Sequence, residues 1–236
     1  MKAREKKVME SAGFYTSSML GIDYRQAEFS YRSIKPYFKG RIALEVGTAS
    51  GYMTKDLIND FDLLHLVEGS PELANVIPAY PNVIKHCSML EDFETEQKFD
   101  TIIMSHVLEH IEYPVNVLTK FKKWLTPGGI LIVVVPNAQS IHRIVAVKMG
   151  ILKTAYELNV RDQALGHYRV YDTESLNRDI SAAGFTVGSS GGSFLKPLSN
   201  TQIEKSWSTE MIEGFYEAGK EFPMNCAEIF IVASYE

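Results

Sequence analysis

A predicted strand that runs into a glycine-bounded turn is the feature that most constrains the fold of this chain. Residues 42–46 are apolar except for one acid, which suits a strand buried on both faces of a parallel sheet. Gly47 and Gly51 carry no Cβ, so the backbone can turn sharply there and approach a ligand. A helix is predicted to follow from Tyr52. The stretch therefore predicts a cofactor-binding loop at the end of the first strand.

The glycine spacing of this turn differs from the fingerprint of dinucleotide-binding folds, which has glycines at its first, third and sixth positions. Ala49 and Tyr52 stand at the third and sixth positions of this chain. The pattern that is present is an acid, one residue, a glycine, three residues and a second glycine: Glu45, Gly47 and Gly51. This pattern resembles the first motif of the class I S-adenosylmethionine-dependent methyltransferases.

In that family, the acid faces the charged methionine part of the cofactor, and the glycine turn lies along its ribose and methionine. S-adenosylmethionine carries an ammonium, a carboxylate and a sulfonium but no phosphate, so it tolerates a carboxylate that a pyrophosphate site would reject. The resemblance implies that Glu45, Gly47, Thr48 and Gly51 bind S-adenosylmethionine, with S-adenosylhomocysteine as the product. A strand, turn and helix with incidental glycines would show the same local pattern.

A second acid ends the next predicted strand, residues 63–67. Glu68 follows the glycine turn by about twenty residues, which places it to accept hydrogen bonds from two ribose hydroxyls. Ser70 and Pro71 predict the start of a helix, so Glu68 lies at the tip of the strand and not in a free turn. We assign Glu68 and Gly69 to the predicted cofactor site.

Two later loops are also predicted to border the cofactor. Ser88 and Met89 follow a short third strand at residues 83–86, and the resemblance implies that this connection flanks the adenine. His106 directly follows the fourth predicted strand, residues 99–105. The carboxyl ends of parallel strands bind ligands in doubly wound folds, so we expect His106 to border both the cofactor and the methyl acceptor.

The resemblance is most specific around the fifth strand. A helix, the turn at residues 125–129, the apolar strand at residues 130–135 and Pro136 with Asn137 all match the methyltransferase pattern. The match covers roughly residues 41–137 and continues more loosely to the end of the chain. It implies an α/β fold: a Rossmann-like, doubly wound, seven-stranded sheet whose last strand runs antiparallel between the fifth and sixth.

The chain length suits one domain, residues 1–236. We divide it into a helical lid at residues 1–38, a cofactor-binding core at residues 41–137, and substrate-side insertions at residues 139–170 and 191–225. The family often places a lid tyrosine against the cofactor. Tyr24 or Tyr15 would take that role here, although core packing would also explain either residue.

Composition limits the partners and the compartment. Hydrophobic content of 45% and charged content of 22% are values of a globular protein, and the net charge of −5 argues against nucleic acid as the main substrate. Cys87 and Cys226 lack the spacing of a disulfide framework or a thiolate metal site. The longest apolar run is far too short to span a bilayer, and the first ten residues are charged. We expect a cytoplasmic monomer or homodimer.

Methyl transfer from a sulfonium is an in-line displacement, so the protein must align the nucleophile and, for a hydroxyl, remove a proton. Histidine is the usual base at neutral pH. The candidates are His167, His142 and His106, and each could instead cap or pack. We choose His167 first, because the loop at residues 166–169 should return to the carboxyl edge of the sheet.

A metal site is a further hypothesis. His106, Glu109 and His110 would share one face of a helical turn, and imidazoles with a carboxylate suit a divalent ion. The segment resembles a metal-binding Glu-x-x-Glu-His motif of ubiquinone-pathway O-methyltransferases and small-RNA terminal methyltransferases, with His106 in place of the first glutamate and His167 as the fourth ligand. We favour the alternative, in which His106 lines the cofactor pocket while Glu109 and His110 hold the loop.

The leading prediction is a methyltransferase that acts on an oxygen or nitrogen of a small molecule, either a secondary metabolite or a sugar. Aromatic residues of the two insertions would bind a flat ring or a sugar face: Tyr156, Tyr168, Tyr171, Trp207, Phe215 and Tyr216. The alternatives are a metal-assisted methyltransferase acting on RNA 3′ ends, a non-catalytic cofactor-binding regulatory domain and an NAD-dependent oxidoreductase. The acidic balance of the chain argues against RNA.

Overall fold

The computed structural model describes Met9 and residues 21–235, and its centre is a sheet of seven strands. The strands are β1 (Ile42–Val46), β2 (Leu63–Glu68), β3 (Val83–Cys87), β4 (Phe99–Ser105), β5 (Leu125–Pro136), β6 (Thr186–Ser193) and β7 (Glu228–Ser234). Their order across the sheet is β3-β2-β1-β4-β5-β7-β6. The first five strands pair in parallel, and β7 runs antiparallel to both β5 and β6. The predicted fold class is therefore confirmed, including the position of the last strand.

Helices cover both faces of this sheet. Those in the described chain are α1 (Ile22–Ile34), α2 (Thr54–Leu57), α3 (Pro71–Val76), α4 (Pro114–Trp124), α5 (Ile141–Lys148), α6 (Val160–Leu165), α7 (Thr173–Ala182), α8 (Asn200–Ser206) and α9 (Thr209–Gly219). Short 3₁₀ turns occur at Lys35–Tyr37, Leu108–His110 and Pro223–Asn225. No helix within residues 21–235 combines the length and the apolar character that a membrane crossing requires.

The continuous apolar runs of the central strands follow from burial on two sides. Successive residues of a strand point to opposite faces of the sheet. Leu131 and Val133 of β5 therefore belong to the core beneath α4 and α7, whereas Ile130 and Ile132 belong to the core beneath α1 and α2. Each such side chain stabilises the fold by about 1.5–3 kcal/mol when it is fully buried. Both cores depend on the same strand, which explains why it contains no exposed polar position between residues 130 and 135.

The helix that follows the glycine turn is shorter than the predicted one. The sequence predicts a helix over residues 52–60, and the structure has α-helix only at Thr54–Leu57. Ala49 and Gly51 both have positive φ, at 45° and 78°, so the chain is still turning when it reaches Tyr52. The backbone geometry that forms the loop therefore delays the helix by two residues.

Each substrate-side insertion contains two helices, whereas the sequence predicts one helical stretch over residues 139–165 and one over residues 202–220. Residues 139–165 form α5 and α6, and residues 200–219 form α8 and α9. Asn159 begins α6 by accepting a hydrogen bond from Asp162 N, and Ser208 begins α9 by accepting one from Met211 N. Such side chains offer the backbone an alternative to a continuous helix. The capping residues therefore divide the predicted helices.

The described part of the predicted lid packs on the second insertion. Phe29 of α1 stacks on Tyr216 of α9 with ring centroids 4.4 Å apart. Phe194 lies against the other side of the contact, with its ring centroid 5.2 Å from that of Phe29. Tyr15 lies outside the described residues. The roles that we assigned to the lid, the core and the two insertions stay predictions.

A pair of histidines joins the outer strands β2 and β3. His65 Nδ1 and His86 Nε2 are 3.0 Å apart and share a hydrogen bond, and the two rings stack. Burial lowers the pKa of both side chains, and the neighbouring His86 lowers the pKa of His65 further. The folded protein therefore disfavours protonation of this pair.

We expect the free energy of unfolding to decrease as the pH falls below 6.5, because the unfolded chain then binds protons that the folded pair rejects. Replacing both residues in His65→Leu/His86→Leu should flatten this part of the curve, although it removes a hydrogen bond that contributes about 1 kcal/mol. Urea unfolding of both proteins at pH 7.5 and pH 5.5 measures the effect. An identical decrease in the two proteins contradicts the assignment.

Candidate active site

A cavity of about 310 Å³ lies at the carboxyl ends of β1, β2 and β4. Most of the predicted site residues line it: Glu45, Gly47, Thr48, Glu68, Gly69, Ser88, Met89, His106, His142 and His167. Gly51 lies behind the turn and Tyr24 lies outside the cavity wall, where its ring meets the edge of Tyr52 at a centroid distance of 5.3 Å. The structure thus gathers one continuous site from residues that are up to 122 positions apart in the sequence.

The glycine turn is held by its backbone and by the loop that follows β4. Gly47 has φ 72°, and its N–H donates a hydrogen bond to Val67 O at 2.8 Å. A Cβ at Gly47 would overlap with Val107 Cγ2. Gly51 closes the turn by donating to Thr48 O at 2.8 Å. The close approach of two loops, as well as the positive φ, therefore requires glycine at position 47.

Glu68 anchors the same turn. Its Oε2 accepts hydrogen bonds from the backbone N–H groups of Thr48 and Ala49, both at 3.1 Å, and its Oε1 accepts one from Ser70 N at 2.9 Å. Burial raises the pKa of this carboxyl, and the backbone donors partly offset that effect. Glu68 therefore shapes the turn before any ligand binds, and its contact with a ribose stays a proposal.

Glu45 is buried at the end of β1 and accepts one hydrogen bond, from Thr54 Oγ1 at 2.7 Å. Burial raises the pKa of Glu45 to about 8. A cation placed beside this group would favour its ionised form. A positively charged ligand would therefore be stabilised at this end of the cavity.

His106 is held between two carboxylates. It adopts φ 55°, and its Nε2 lies 3.0 Å from Glu228 Oε1 while its Nδ1 lies 3.5 Å from Glu109 Oε1. Desolvation acts to lower the pKa of His106, but the two carboxylates outweigh it and raise the pKa to about 10. An imidazolium cannot accept a proton, so these contacts argue against His106 as the base and favour a fixed positive charge.

Glu228 is a site residue that the sequence analysis missed. It is buried at the start of β7, lines the cavity, and accepts hydrogen bonds from Gln26 Nε2 at 2.9 Å and from Ser30 Oγ. Gln26 and Ser30 belong to α1, so Glu228 ties the lid helix to His106. The available signal was a single acid that opens an otherwise apolar strand.

His167 lies where the sequence predicted. Tyr168 N donates to Glu109 O at 2.8 Å, which brings the loop to the carboxyl edge of the sheet. His167 Nδ1 is 3.5 Å from Asp162 Oδ1, and burial lowers the pKa of His167. A neutral imidazole beside a carboxylate can accept a proton and keep it.

His142 also lines the cavity but is a poorer base. Burial lowers its pKa to about 3, and the charges of Lys196 and Arg143 act in the same direction. Its Nδ1 has no hydrogen-bond partner among the described residues. His142 can therefore accept a hydrogen bond from a ligand while it resists protonation.

The structure brings together three of the four residues of the metal hypothesis. Glu109, His110 and His167 each offer a ligand atom, and these atoms lie within 4.8 Å of one another. Glu109 is fully buried, and neither of its oxygens accepts a hydrogen bond within the described structure. This donor set can hold a divalent ion. His106 is not part of the trio, because the 3₁₀ turn begins only at Leu108 and His106 precedes it with positive φ.

The aromatic residues predicted to bind a ring lie elsewhere. None of the six residues of that prediction lines the cavity. Tyr171 is buried in the core, Trp207 stacks on Phe215 at 4.4 Å, and Tyr216 stacks on Phe29. The insertions instead supply polar groups to the cavity: His142, Arg143, Asn159, Arg161, Asp162, His167, Lys196 and Asn200. Aromatic content alone therefore gave the wrong character for this wall.

We expect Gly47→Ala to lower the free energy of unfolding by roughly 2–4 kcal/mol, because it adds both a left-handed alanine and an overlap with Val107. Gly150→Ala is the matched control, since Gly150 has the same φ of 72° with nothing within 4 Å of its Cβ position. It should cost only the conformational part, about 1–2 kcal/mol. Urea unfolding compares the two, and equal losses would show that the contact with Val107 contributes nothing.

The sequence profile of a known family matches most of this chain. The profile of the family described as "Methyltransferase domain" covers residues 26–190. A curated protein of Mycolicibacterium smegmatis, described as a probable S-adenosylmethionine-dependent methyltransferase, is 29% identical over 117 residues. That alignment covers 48% of this chain and 45% of the relative, so this chain matches less than half of the relative's length.

Two solved structures show the same fold at low sequence identity. A methyltransferase of Thermotoga maritima, described as S-adenosylmethionine-dependent and as a possible histamine N-methyltransferase, is 16% identical with a TM-score of 0.67, over 97% of this chain and 98% of its own. The N-methyltransferase NodS of Bradyrhizobium japonicum, in complex with S-adenosylhomocysteine, is 14% identical with a TM-score of 0.58, over 98% and 96%. The profile match, which covers more than half of the chain, shows that this protein belongs to the methyltransferase-domain family.

Proposed function

We propose that this protein transfers the methyl group of S-adenosylmethionine to an oxygen or nitrogen of a small molecule. The observation that carries the proposal is a single cavity that joins the glycine turn, with Glu45 and Glu68, to the pair formed by His167 and Asp162. One wall offers cofactor contacts, and the other offers a neutral base with an orienting carboxylate. The volume of about 310 Å³ supports a small acceptor rather than a polymer.

The residues of the first wall would bind and orient the cofactor. S-adenosylmethionine supplies an electrophilic methyl group on a sulfonium. Glu45 would face its ammonium, Glu68 and Gly69 its ribose, and Ser88 and Met89 its adenine. Holding both reactants in one cavity aligns the acceptor with the bond that breaks, and this alignment can supply much of the rate enhancement.

His167 would receive the proton of the acceptor. As the acceptor lone pair forms its bond to the methyl carbon, the electrons of the carbon–sulfur bond return to sulfur, and the acceptor proton moves to the imidazole. The carboxylate of Asp162, 3.5 Å from Nδ1, stabilises the imidazolium that results. Arg143 Nη1 and Asn159 N hold Asp162 in place, each at 3.0 Å from Oδ2. The carboxylate beside the base is therefore held in place by hydrogen bonds.

His106 would act as a positioning residue. Its backbone N–H donates a hydrogen bond to Val134 O at 2.9 Å, and its imidazole ring lies between Glu109 and Glu228. The pair of carboxylates keeps the imidazolium charged, and Glu228 connects it to α1. This arrangement supports a link between the lid helix and the loop that borders the acceptor.

Calorimetry tests the cofactor part of the proposal directly. Titration with S-adenosylhomocysteine should show one site, whereas NADH should give no heat of binding. Transfer of label from S-[methyl-³H]adenosylmethionine to a panel of hydroxyl and amine compounds then identifies an acceptor. Cofactor binding without transfer to any acceptor would favour the non-catalytic regulatory alternative.

His167→Ala should lower kcat by about 10²-fold or more, the usual contribution of a general base, while the Kd for S-adenosylhomocysteine stays unchanged. In the wild type, burial lowers the pKa of His167, so kcat should stay level from pH 8 to pH 6.5 and fall only below that range. His142→Ala is the comparison, since it removes the other cavity histidine and should affect kcat less. Wild-type turnover in His167→Ala would remove this residue from the mechanism.

A second candidate is a metal-assisted methyltransferase that acts on RNA 3′ ends. The trio of Glu109, His110 and His167 favours it, because a fully buried carboxylate without hydrogen bonds would gain from a cation. Against it stands His106, whose charge already lies 3.5 Å from Glu109.

The leading proposal predicts that dialysis against EDTA leaves kcat on a small-molecule acceptor unchanged, because no residue of the proposed step depends on a metal. Metal analysis of the purified protein by mass spectrometry is the independent readout. Loss of turnover on EDTA treatment, restored by Mg²⁺, Mn²⁺ or Co²⁺ in wild type but not in His110→Ala, would contradict this prediction and assign a metal to the trio of Glu109, His110 and His167.

A further inference from the structure

Lys196 places a buried ammonium in the cavity wall. Lys196 is only 8% exposed, and its Nζ donates one hydrogen bond, to Asn200 Oδ1 at 2.6 Å. Within residues 21–235, no carboxylate oxygen lies within 4.0 Å of Nζ. An ammonium has three N–H donors and is rarely buried without a counter-ion. Lys196 therefore has the capacity to bind an anion that residues 21–235 do not supply.

The nearest acids are already paired with other groups. Asp23 accepts hydrogen bonds from Arg161 Nη2 at 2.8 and 2.9 Å and from Asn200 Nδ2 at 2.6 Å. Glu228 pairs with His106 and with α1. Arg161 therefore has a carboxylate partner in Asp23, whereas Lys196 has none among the described residues.

The other basic groups beside Lys196 are either paired or neutral. Arg143 is paired with Asp162 at 3.0 Å and also donates to the carbonyl oxygens of Ala155 and Glu157. Burial keeps the pKa of His142 near 3, so this side chain stays neutral. Burial also lowers the pKa of Lys196 to about 8, which is the expected response of an ammonium without a counter-ion.

The position of Lys196 assigns it to the acceptor and not to the cofactor. It lies between β6 and α8 in the second insertion, and its backbone hydrogen-bonds to His142 of the first insertion. The cofactor contacts come instead from β1, β2 and their loops. The two insertions therefore meet at Lys196, on the wall that also holds His167.

We propose that the methyl acceptor is a small carboxylic acid whose carboxylate pairs with Lys196. The inference rests on the proposed function and names its substrate class. A carboxylate would be the ion-pair partner that Lys196 lacks among the described residues, and it can accept hydrogen bonds from both remaining N–H groups of the ammonium. Asn200 is a positioning residue, because its amide connects Lys196 to the ion pair of Asp23 and Arg161.

The test compares acids with their uncharged counterparts. The probes are hydroxy- and amino-carboxylic acids, each assayed beside its own primary amide and its phosphate-bearing analogue with labelled S-adenosylmethionine. Wild type should prefer an acid over its amide by about 10²-fold in kcat/KM, the usual effect of truncating one partner of a buried charge pair. Lys196→Met should lose that preference and keep the amide rate, and Lys196→Arg should retain part of it.

Two further readouts, the cofactor Kd and the Tm, separate this inference from its alternatives. Lys196→Met should keep the wild-type Kd for S-adenosylhomocysteine, and its Tm should stay equal or rise because an unpaired buried charge is removed. Lys148→Met, on the exposed end of α5, is the control and should match wild type throughout.

Weaker cofactor binding in Lys196→Met would assign the lysine to the cofactor carboxylate and overturn the inference. Equal rates on acids and amides in wild type, or a preference for phosphates, would also overturn it while leaving the methyltransferase proposal intact. Absence of both cofactor binding and transfer would instead refute the proposed function.

Discussion

The carboxylate of Glu68 is the interaction on which the rest of the site depends. It comes from the end of β2, yet it accepts hydrogen bonds from Thr48 and Ala49 in the turn that follows β1 and from Ser70 at the start of α3. Ala49 has φ 45°, a conformation that a non-glycine residue keeps only when its surroundings impose it. Without this acceptor, the buried N–H of Thr48 and the half-buried N–H of Ala49 would lose their partner. The shape of the cofactor loop is thus fixed by a side chain about twenty residues away in the sequence.

A second link extends from the sheet to the lid. Glu228 at the start of β7 contacts His106 beyond β4 and, through Gln26 and Ser30, helix α1. Because β7 lies beside β5 and not at the edge of the sheet, its first residue reaches the cavity from the side opposite the glycine turn. A change in the position of α1 would therefore alter the contacts of His106, which lines the cavity.

The sequence predicted best where one residue type has one physical use. Strands that are buried on both faces of a parallel sheet have continuous apolar sequences, so the sequence predicted them. The turn was predicted because it requires glycine at Gly47, where a Cβ would overlap with Val107. Lys196 and Glu228 were missed, because a single charged residue in a loop or at a strand end carries no pattern. The helical spacing assumed for His106 was also wrong, since positive φ at one residue cannot be read from hydrophobic periodicity. The role of such a residue depends on contacts with residues that are distant in the sequence, so it cannot be predicted from a local pattern.

One end of the cavity has a buried carboxyl without a cation, and the other end has a buried ammonium without an anion. This difference indicates where each ligand would bind. Burial raises the pKa of Glu45 to about 8 at one end and lowers the pKa of Lys196 to about 8 at the other. A cation beside Glu45 would lower its pKa, and an anion beside Lys196 would raise the pKa of the ammonium. Each ligand would then complete the charge of its own end, so cofactor and acceptor need not compete for the same contacts. His167, whose pKa burial keeps low, would remain neutral between them and free to accept a proton.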